Sequence, residues 1–209
     1  MFKTKYLNTS MTFSFINTVG VIYMTKPEPK NIRVVNIVVS TSFEKAIPLE
    51  RMAATLSNTE YNPEQFPGLV IRIKEPKTSA LIFSSGKIVC TGARTMDEVN
   101  ESIKQIIKSL EKINVKITVK PVITIQNIVA SGEISMVLNL NELAMKLENT
   151  EYEPEQFPGL VYKLRDCQAT FLLFSNGKIV CTGTKSNEDI DIAVDKLIEN
   201  LKKVSGKKK

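Results

Sequence analysis

Hydrophobic positions in the first part of the chain follow two different periodicities. A run rich in valine and isoleucine at 32–40 predicts a β-strand. Apolar residues at 48–57 recur at helical spacing, and this run begins with Pro48, a residue favoured in the first turn of a helix. Three further strand-like runs follow at 69–74, 78–84 and 87–92. The pattern therefore predicts a strand, a short helix and three more strands.

A longer helix is predicted after this group of strands. Thr95 followed by Glu98 has the spacing of a capping box, in which each side chain bonds a free N–H at the start of the helix. Apolar residues then recur three and four positions apart, at Val99, Ile103, Ile106, Ile107 and Leu110. The β-branched segment 114–127 is expected to supply strands that join this half of the chain to the next.

The same order of elements occurs a second time at a constant offset of 91 residues. The stretch NTEYNPEQFPGLV at 58–70 returns at 149–161 with twelve of thirteen positions identical, and Glu153 stands where Asn62 stood. IFSSGKIVCTG returns as LFSNGKIVCTG, with nine of eleven positions identical. The period is far longer than that of a solenoid repeat. The chain is therefore a tandem duplication, which predicts two similar half-domains.

Both faces of the predicted strands are apolar. Alternation directs one set of side chains toward the helices, namely Val35, Ile37, Ile88 and Cys90. It directs another set to the opposite face, namely Val38, Leu81, Phe83 and Val89, together with Asn36 and Thr91. Two helices per half are too few to cover both sides of the sheet, so one face is expected to be exposed. An exposed apolar face indicates either a binding site or an interface for dimerisation.

Charge divides the two halves. The 209 residues carry a formal net charge of +6, which favours a polyanionic partner. Residues 32–121 account for +4 and residues 122–209 for −1. One half of the duplication is therefore basic and the other is not.

The composition excludes several kinds of chemistry. The chain has no histidine, so imidazole-based catalysis and histidine metal sites are absent. Its three cysteines, Cys90, Cys167 and Cys181, form no CxxC pair, which favours a reducing intracellular compartment. SSGK and SNGK lack the spacing of a phosphate-binding loop. We therefore expect no metal, no cofactor and no enzymatic activity.

The two ends of the chain are expected to lie outside the folded part. The apolar run MTFSFINTVGVIYM near the start is interrupted by polar residues and is too short to span a membrane. We interpret residues 1–30 as a disordered extension or a misassigned start, with Met24 as the true first residue. The predicted half-domains are 31–121 and 122–204, and residues 205–209 form a basic tail.

The duplicated motifs resemble a known family. QNIVAS, EYEPEQFPGLVYKL, LLFSNGKIVCTG and their first-half copies are similar to the TATA-box-binding protein family, close to its archaeal form. The resemblance covers about residues 31–204. It implies an α+β fold, a pseudo-twofold saddle in which a curved antiparallel sheet of about ten strands carries four helices on its convex face.

The resemblance also implies a function. Members of this family, themselves a standard example of minor-groove recognition, bind TATA-box promoter DNA and kink it with inserted side chains. The chain is thus expected to be a general transcription initiation factor that binds double-stranded TATA-box DNA. It would recruit transcription factor B and, through it, RNA polymerase. It would act in the cytoplasm of an archaeon at the nucleoid, or in the nucleus of a eukaryote, and could form a self-dimer when free of DNA.

Site residues follow from the family's motifs at matching positions. The minor-groove face would consist of Asn36, Val38, Val89, Thr91, Asn127, Val129, Val180 and Thr182. The kinking wedges would be Phe66, Phe83, Phe157 and Phe174. Phosphate contacts would come from Arg72, Lys77, Lys87, Lys163 and Lys178, and contacts to transcription factor B from Glu151, Glu153 and Glu155. Because the two halves present nearly the same face, that face would orient the protein only weakly on a promoter.

Overall fold

The computed structural model describes residues 27–205. The expected start at Met24, most of the N-terminal extension and residues 206–209 of the tail lie outside the described residues. The chain divides into two compact units. The first unit is Val34–Ile128, and the second combines residues 27–33 with residues 129–205. The predicted half-domain boundary between 121 and 122 stays a prediction.

The first unit contains the elements that the hydrophobic pattern predicts and one short strand, Thr59–Glu60, that it did not predict. They are β1 (Pro29–Ser42, entering this unit at Val34), α1 (Leu49–Thr55), β2 (Thr59–Glu60), β3 (Gly68–Ile73), β4 (Thr78–Phe83), β5 (Lys87–Ala93) and α2 (Met96–Glu111). The strands are antiparallel in the order β2-β3-β4-β5-β1. Short antiparallel hairpins explain this order, because each strand from β2 to β5 pairs with the next along the chain.

The second unit repeats this arrangement. Its elements are β6 (Thr124–Ile134, entering this unit at Val129), α3 (Leu140–Lys146), β7 (Thr150–Glu151), β8 (Leu160–Leu164), β9 (Ala169–Leu173), β10 (Lys178–Thr184) and α4 (Asn187–Ser205). A short 3₁₀ turn at Arg165–Cys167 connects β8 to β9. The strand order is β6-β10-β9-β8-β7.

The expectation that the segment 114–127 supplies strands is wrong for residues 114–123, since β6 begins only at Thr124. Helix α2 is followed by Asn114 in the left-handed conformation, and the N–H of Val115 returns to the carbonyl of Leu110 at 3.0 Å. The carbonyls of Lys116 and Val122 accept side-chain hydrogen bonds, at 2.8 Å each, from Lys45 and Thr41. Side-chain donors thus satisfy carbonyls that a strand would pair with another strand.

Two local details also differ from expectation. Pro48 is the N-cap residue of α1 and precedes its first turn. At α2 the Thr95 hydroxyl accepts from the N–H of Glu98 at 3.1 Å as expected, but the Glu98 carboxylate accepts from the N–H of Arg94 at 2.6 Å. The capping interaction therefore extends one residue further back than a simple capping box.

Each unit has its own apolar core between helices and one strand face. In the first unit Val39, Ile82, Val99 and Ile106 are completely buried. Val35 does not join this core, to which its neighbour Val34 contributes instead. In the second unit the fully buried set is Leu160, Phe171, Leu173, Ala193, Val194, Leu197 and Leu201. Burial of each large aliphatic or aromatic side chain contributes about 1.5–3 kcal/mol, so these stripes hold the helices to one strand face.

Among the described residues, no helix is both long enough and apolar enough to cross a membrane.

Candidate nucleic-acid interface

One strand face of the first unit carries apolar side chains that its core does not bury. Along β4 and β5, Leu81, Phe83 and Val89 are half-buried and alternate with fully buried neighbours. Val38 on β1 and Thr91 on β5 are half-buried as well. Period-two alternation puts them on the face opposite the core, where the sequence pattern predicted them.

The second unit presents an equivalent face. Strand β10 has the same burial pattern as β5, with Val180 half-buried between two buried residues and Thr182 half-buried after buried Cys181. Val129 on β6 is also half-buried. The predicted minor-groove residues of each unit therefore lie on strands whose other face is packed.

Asn36 is held in place by a β-bulge that the sequence analysis did not identify. Ile37 pairs with Ala93 but Val39 pairs with Cys90, so β5 contains one extra residue there. Gly92 lies in this extra stretch with φ of +99°, a conformation that favours glycine. The Asn36 Oδ1 atom accepts from the Gly92 N–H at 2.7 Å and from the Thr91 hydroxyl at 3.2 Å. These bonds occupy the amide oxygen and leave the amide nitrogen as the donor end of the side chain.

Asn127 lies half-buried on β6, in the part of that strand that belongs to the first unit. Gly183 has a φ of +94°, close to that of Gly92 at the matching position. The sequence itself could have indicated a bulge here, because the glycine in KIVCTG lies inside a strand pattern and glycine at such a position often marks a bulge.

Each unit has one phenylalanine pair with a partly exposed ring. Phe66 and Phe157 expose 42% and 41% of their surface. Phe66 meets Phe83 edge to face with ring centroids 5.9 Å apart, and Phe157 meets Phe174 at the same 5.9 Å. The interplanar angles are 63° and 68°. The two pairs have nearly identical geometry, and the role of their rings as wedges stays a prediction.

The loop that carries the exposed ring is the same in both units. The carbonyl of residue 62 accepts from the N–H of Phe66 at 3.0 Å, and the carbonyl of residue 153 accepts from the N–H of Phe157 at 2.9 Å. The exchange of Asn62 for Glu153 therefore changes the side chain at the turn and preserves its backbone hydrogen bonds.

Two of the predicted phosphate contacts are engaged in ion pairs. Arg72 on β3 makes two hydrogen bonds of 3.1 Å to Glu60 on β2. Lys163 on β8 donates to Glu151 on β7 at 2.6 Å. The Arg72 guanidinium lowers the pKa of Glu60, through its hydrogen bonds and then through its charge. Lys77, Lys87 and Lys178 are exposed.

Only part of the predicted acidic cluster is available to contact a partner protein. Glu151, Glu153 and Glu155 are all exposed. Because Glu151 is bonded to Lys163, its charge is already compensated by a neighbour on the next strand. Glu153 and Glu155 are the members of the cluster that the turn presents outward.

A basic cavity opens beside the strand ends of the first unit. It has a volume of about 650 Å³, and its charged lining residues are Arg72, Lys77, Arg94 and Glu98. The corresponding cavity of the second unit, of about 380 Å³, is lined by Lys185 and by two carboxylates, Asp166 and Asp189. Arg94 was missed by the sequence analysis, and the two cavities differ in the sign of their charge.

The cysteines show no sign of chemistry. Cys90 and Cys181 are buried in the two cores. Burial raises the pKa of both thiols, that of Cys181 to about 12, so they remain protonated. Within the described residues, no group of three or more Cys, Asp and Glu side chains could hold a metal ion.

Comparisons with known proteins agree with the duplication. The profile of the family described as "Transcription factor TFIID (or TATA-binding protein, TBP)" matches twice, at residues 31–113 and 122–204. The TATA-box-binding protein of Methanocaldococcus jannaschii is 49% identical over 177 residues, which cover 85% of this chain and 96% of that protein. That of Methanothermobacter thermautotrophicus is 51% identical over 166 residues, covering 79% of this chain and 92% of that protein.

A solved structure gives the same result for the fold. The Methanococcus jannaschii TBP matches with a TM-score of 0.77 and 48% identity, over 82% of this chain and 98% of that chain. The expected fold class, two tandem repeats that build an antiparallel sheet with four helices, is confirmed. The family consists of DNA-binding transcription factors and not of enzymes. With two family matches that together span most of the sequence, the chain belongs to the TATA-binding protein family.

Proposed function

We propose that this protein is a general transcription initiation factor that binds the minor groove of TATA-box DNA, kinks it and recruits transcription factor B. One observation carries the proposal. Each unit presents a partly exposed phenylalanine, paired edge to face with a second, beside a strand face of half-buried β-branched residues. Apolar wedges beside a flat apolar surface are what minor-groove binding with kinking requires.

The strand faces have the chemistry to read A·T pairs. In the minor groove, A·T pairs offer only acceptors, whereas G·C pairs add the exocyclic amine of guanine. Asn36 would donate its amide nitrogen to these acceptors, since its oxygen is engaged with Gly92. Asn127, Thr91 and Thr182 would contact neighbouring positions. Val38, Val89, Val129 and Val180 would pack on sugars and base edges and leave the guanine amine without a partner.

The phenylalanine pairs would act as wedges. Phe66 and Phe157, the exposed members, would enter a base step, with Phe83 and Phe174 behind them. Partial unstacking costs a few kcal/mol per step, and the larger contact with bent DNA offsets this cost. A ring that is already supported by a second ring needs little reorganisation before it inserts.

The basic side chains at the rim would contact phosphates. Arg72, Lys77, Lys87, Lys163 and Lys178 would supply this sequence-independent part of the affinity. Arg72 and Lys163 would each exchange a carboxylate for a phosphate on binding. The strength of binding should therefore fall with salt concentration, because DNA releases counterions for each phosphate neutralised.

Transcription factor B would be recruited through the acidic loop of the second unit. Glu153 and Glu155 would meet basic groups of that partner, and Glu151 would contribute where Lys163 is drawn to DNA. RNA polymerase would then join through transcription factor B. Reversing all three charges should abolish the ternary complex and spare TATA binding. Unchanged recruitment by this variant would refute the assignment.

The central experiment is a gel shift with an AT-rich TATA duplex and a GC duplex of equal length. Fluorescence transfer between dyes at the two ends of the duplex measures bending in the same samples. We expect preference for the TATA duplex and a shorter end-to-end distance in the complex. Equal affinity for both duplexes without bending would contradict the proposal.

In the absence of DNA, the same apolar faces would pair two copies of the chain. Sedimentation velocity with increasing TATA duplex should then show a dimer that dissociates as DNA binds. A dimer that persists at excess TATA duplex would point to an interaction module that uses this face for dimerisation alone.

A further inference from the structure

We propose that Gly68 and Gly159 are positioning residues that set the direction of the exposed phenylalanine rings. Each glycine follows its phenylalanine by two positions and begins or immediately precedes the strand behind the loop. Both glycines are buried, although the loop before each of them is exposed. The proposal rests on the proposed function, since it assigns these glycines a role through the wedges.

The distances show what occupies the space that a side chain would need. A Cβ atom at Gly68 would lie 2.6 Å from Cε1 of Phe66 and 3.2 Å from Cε1 of Phe83. A Cβ atom at Gly159 would lie 2.6 Å from Cε1 of Phe157 and 3.0 Å from Cε1 of Phe174. In each unit, both rings of the pair therefore rest against the glycine, and the exposed ring is in direct contact with its backbone.

Backbone conformation does not explain the choice of glycine here. Gly86, Gly92, Gly177 and Gly183 have positive φ values that disfavour other residues. Gly68 and Gly159 are outside that region, so their backbone would accept alanine. Glycine is required here because the rings need the space. Alanine at either position would displace a phenylalanine ring, and the strand would stay in place.

The displaced group would be the exposed ring. Phe83 is the last residue of β4 and Phe174 directly follows β9, and both are half-buried, whereas Phe66 and Phe157 stand in the loop with about two fifths of their surface exposed. Movement of the loop ring would alter the edge-to-face contact of 5.9 Å and the angle at which the wedge meets a base step. The glycine thus keeps the wedge in a fixed direction before DNA arrives.

The test uses Gly159→Ala and Gly68→Ala in the full chain. In the free protein labelled with 4-fluorophenylalanine, the ¹⁹F resonances of the affected pair should shift. With TATA duplex, the transfer-measured bend should decrease and affinity should fall about two- to tenfold, the range expected when a side chain is forced off its preferred rotamer. Gly159→Ala should have the larger effect, since its Cβ would also lie closer to the second ring.

A matched control separates this effect from that of any added methyl group. A Cβ atom at Gly132 would collide with Cδ1 of Ile32 and would lie 3.0 Å from the carbonyl oxygen of Lys30, and its nearest atoms include no phenylalanine ring. Gly132→Ala should lower the free energy of unfolding and leave the bend of each bound complex unchanged. A bend reduced as much by Gly132→Ala as by Gly159→Ala would overturn the proposal.

A double-mutant cycle tests whether the glycine acts through the ring. Once Phe157→Ala has removed the wedge, adding Gly159→Ala should cause no further loss of bending. Additive losses, or unshifted ¹⁹F resonances with normal bending, would overturn the role of the glycine. A wild-type protein that neither prefers nor bends TATA DNA would instead contradict the proposed function, and the ¹⁹F shifts would still report whether the glycine directs the ring.

Discussion

The two units resemble each other most on their strand faces and least at the ends of their strands. Strands β5 and β10 have the same burial pattern, and the two phenylalanine pairs have equal centroid separations. At the strand ends, one cavity is lined by three cations and one carboxylate, and its counterpart by one cation and two carboxylates. After duplication, the apolar surface was retained and the surrounding charge diverged.

The contrast has a physical reason. A substitution on a packed strand changes either the volume of the core or the contact that the apolar strand face makes with a ligand. Either change costs several kcal/mol. Exchange of an exposed charge usually changes stability by less than about 0.5 kcal/mol, so charges are free to drift. Under the proposed function, these differences at the strand ends would distinguish one direction on DNA from the other, since the two apolar faces are nearly equal.

The largest predicted effect is the loss of stability caused by substitutions in the two cores. These substitutions test whether the units are equally stable. Ile106→Ala and Leu197→Ala remove matching, fully buried side chains from α2 and α4. Each should lower the free energy of unfolding by about 2–5 kcal/mol because a cavity remains. Guanidinium titrations followed by circular dichroism provide the measurement. A loss confined to one of the two variants would show that the units are not energetically equivalent.

The next largest effect tests the equality of the wedges. Phe66→Ala and Phe157→Ala should each weaken TATA binding about ten- to a hundredfold and reduce the bend, since each removes a wedge whose contacts with bent DNA offset the cost of unstacking a base step. The bend should decrease more than the binding to a GC duplex. Met145→Ala, at a side chain 88% exposed on α3, is the control for both measurements. A loss of bending caused by only one of the two substitutions would show that the two wedges are not equivalent.

The next prediction concerns the difference in charge between the strand ends of the two units. Lys77 in the first unit corresponds to Gln168 in the second. Lys77→Gln should reduce the slope of log affinity against log salt by about 1, and Gln168→Lys should increase it by about 1, if each cation neutralises one phosphate. Binding titrations between low and moderate salt measure the slopes. Slopes that do not change would place these positions away from the DNA backbone.

The smallest effect concerns the ion pair of the first unit. Arg72 lowers the pKa of Glu60 in the folded protein, so the pair contributes stability above the usual glutamate pKa and loses it as pH falls through the lowered value. Carboxyl NMR titration should show Glu60 with a pKa below the usual glutamate value, and Arg72→Ala should return it toward that value. Glu60→Gln should leave Arg72 free for phosphate and slightly strengthen DNA binding at low salt. Weaker binding by this variant would mean that Glu60 positions Arg72 for DNA.

Much of the fold could be predicted because hydrophobic spacing reports directly on local structure. The longer strands and the helices of the first unit lie within a few residues of their predicted ranges and recur in the second unit, whereas the two-residue strands β2 and β7 were not predicted. The prediction failed at residues 114–123, where β-branched residues suggested strands. Their propensity was overridden by hydrogen bonds from Thr41 and Lys45, residues more than 70 positions away. The prediction that Val35 faces the helices was also wrong, because alternation alone does not account for packing at the start of β1.

The candidate site was predicted in part. The duplicated motifs located the phenylalanine pairs and the half-buried valines, since those residues repeat at a fixed offset. The ion pairs of Arg72 and Lys163 could not be predicted, because each joins neighbouring strands whose register only the folded chain defines. The ring contacts of Gly68 were missed for the same reason, whereas the bulge at Gly92 had a sign in the sequence, the glycine inside the strand pattern KIVCTG.

The sequence by itself determined the duplication, the order of elements, the apolar strand faces and the uneven charge of the two halves. These depend on residue type and spacing, which are local properties of the chain. Tertiary structure decided which cations are already paired, how Asn36 is oriented and why glycine follows each exposed phenylalanine. Those features depend on distances of a few ångströms between residues far apart in sequence, and such distances exist only after the strands have paired and the cores have packed.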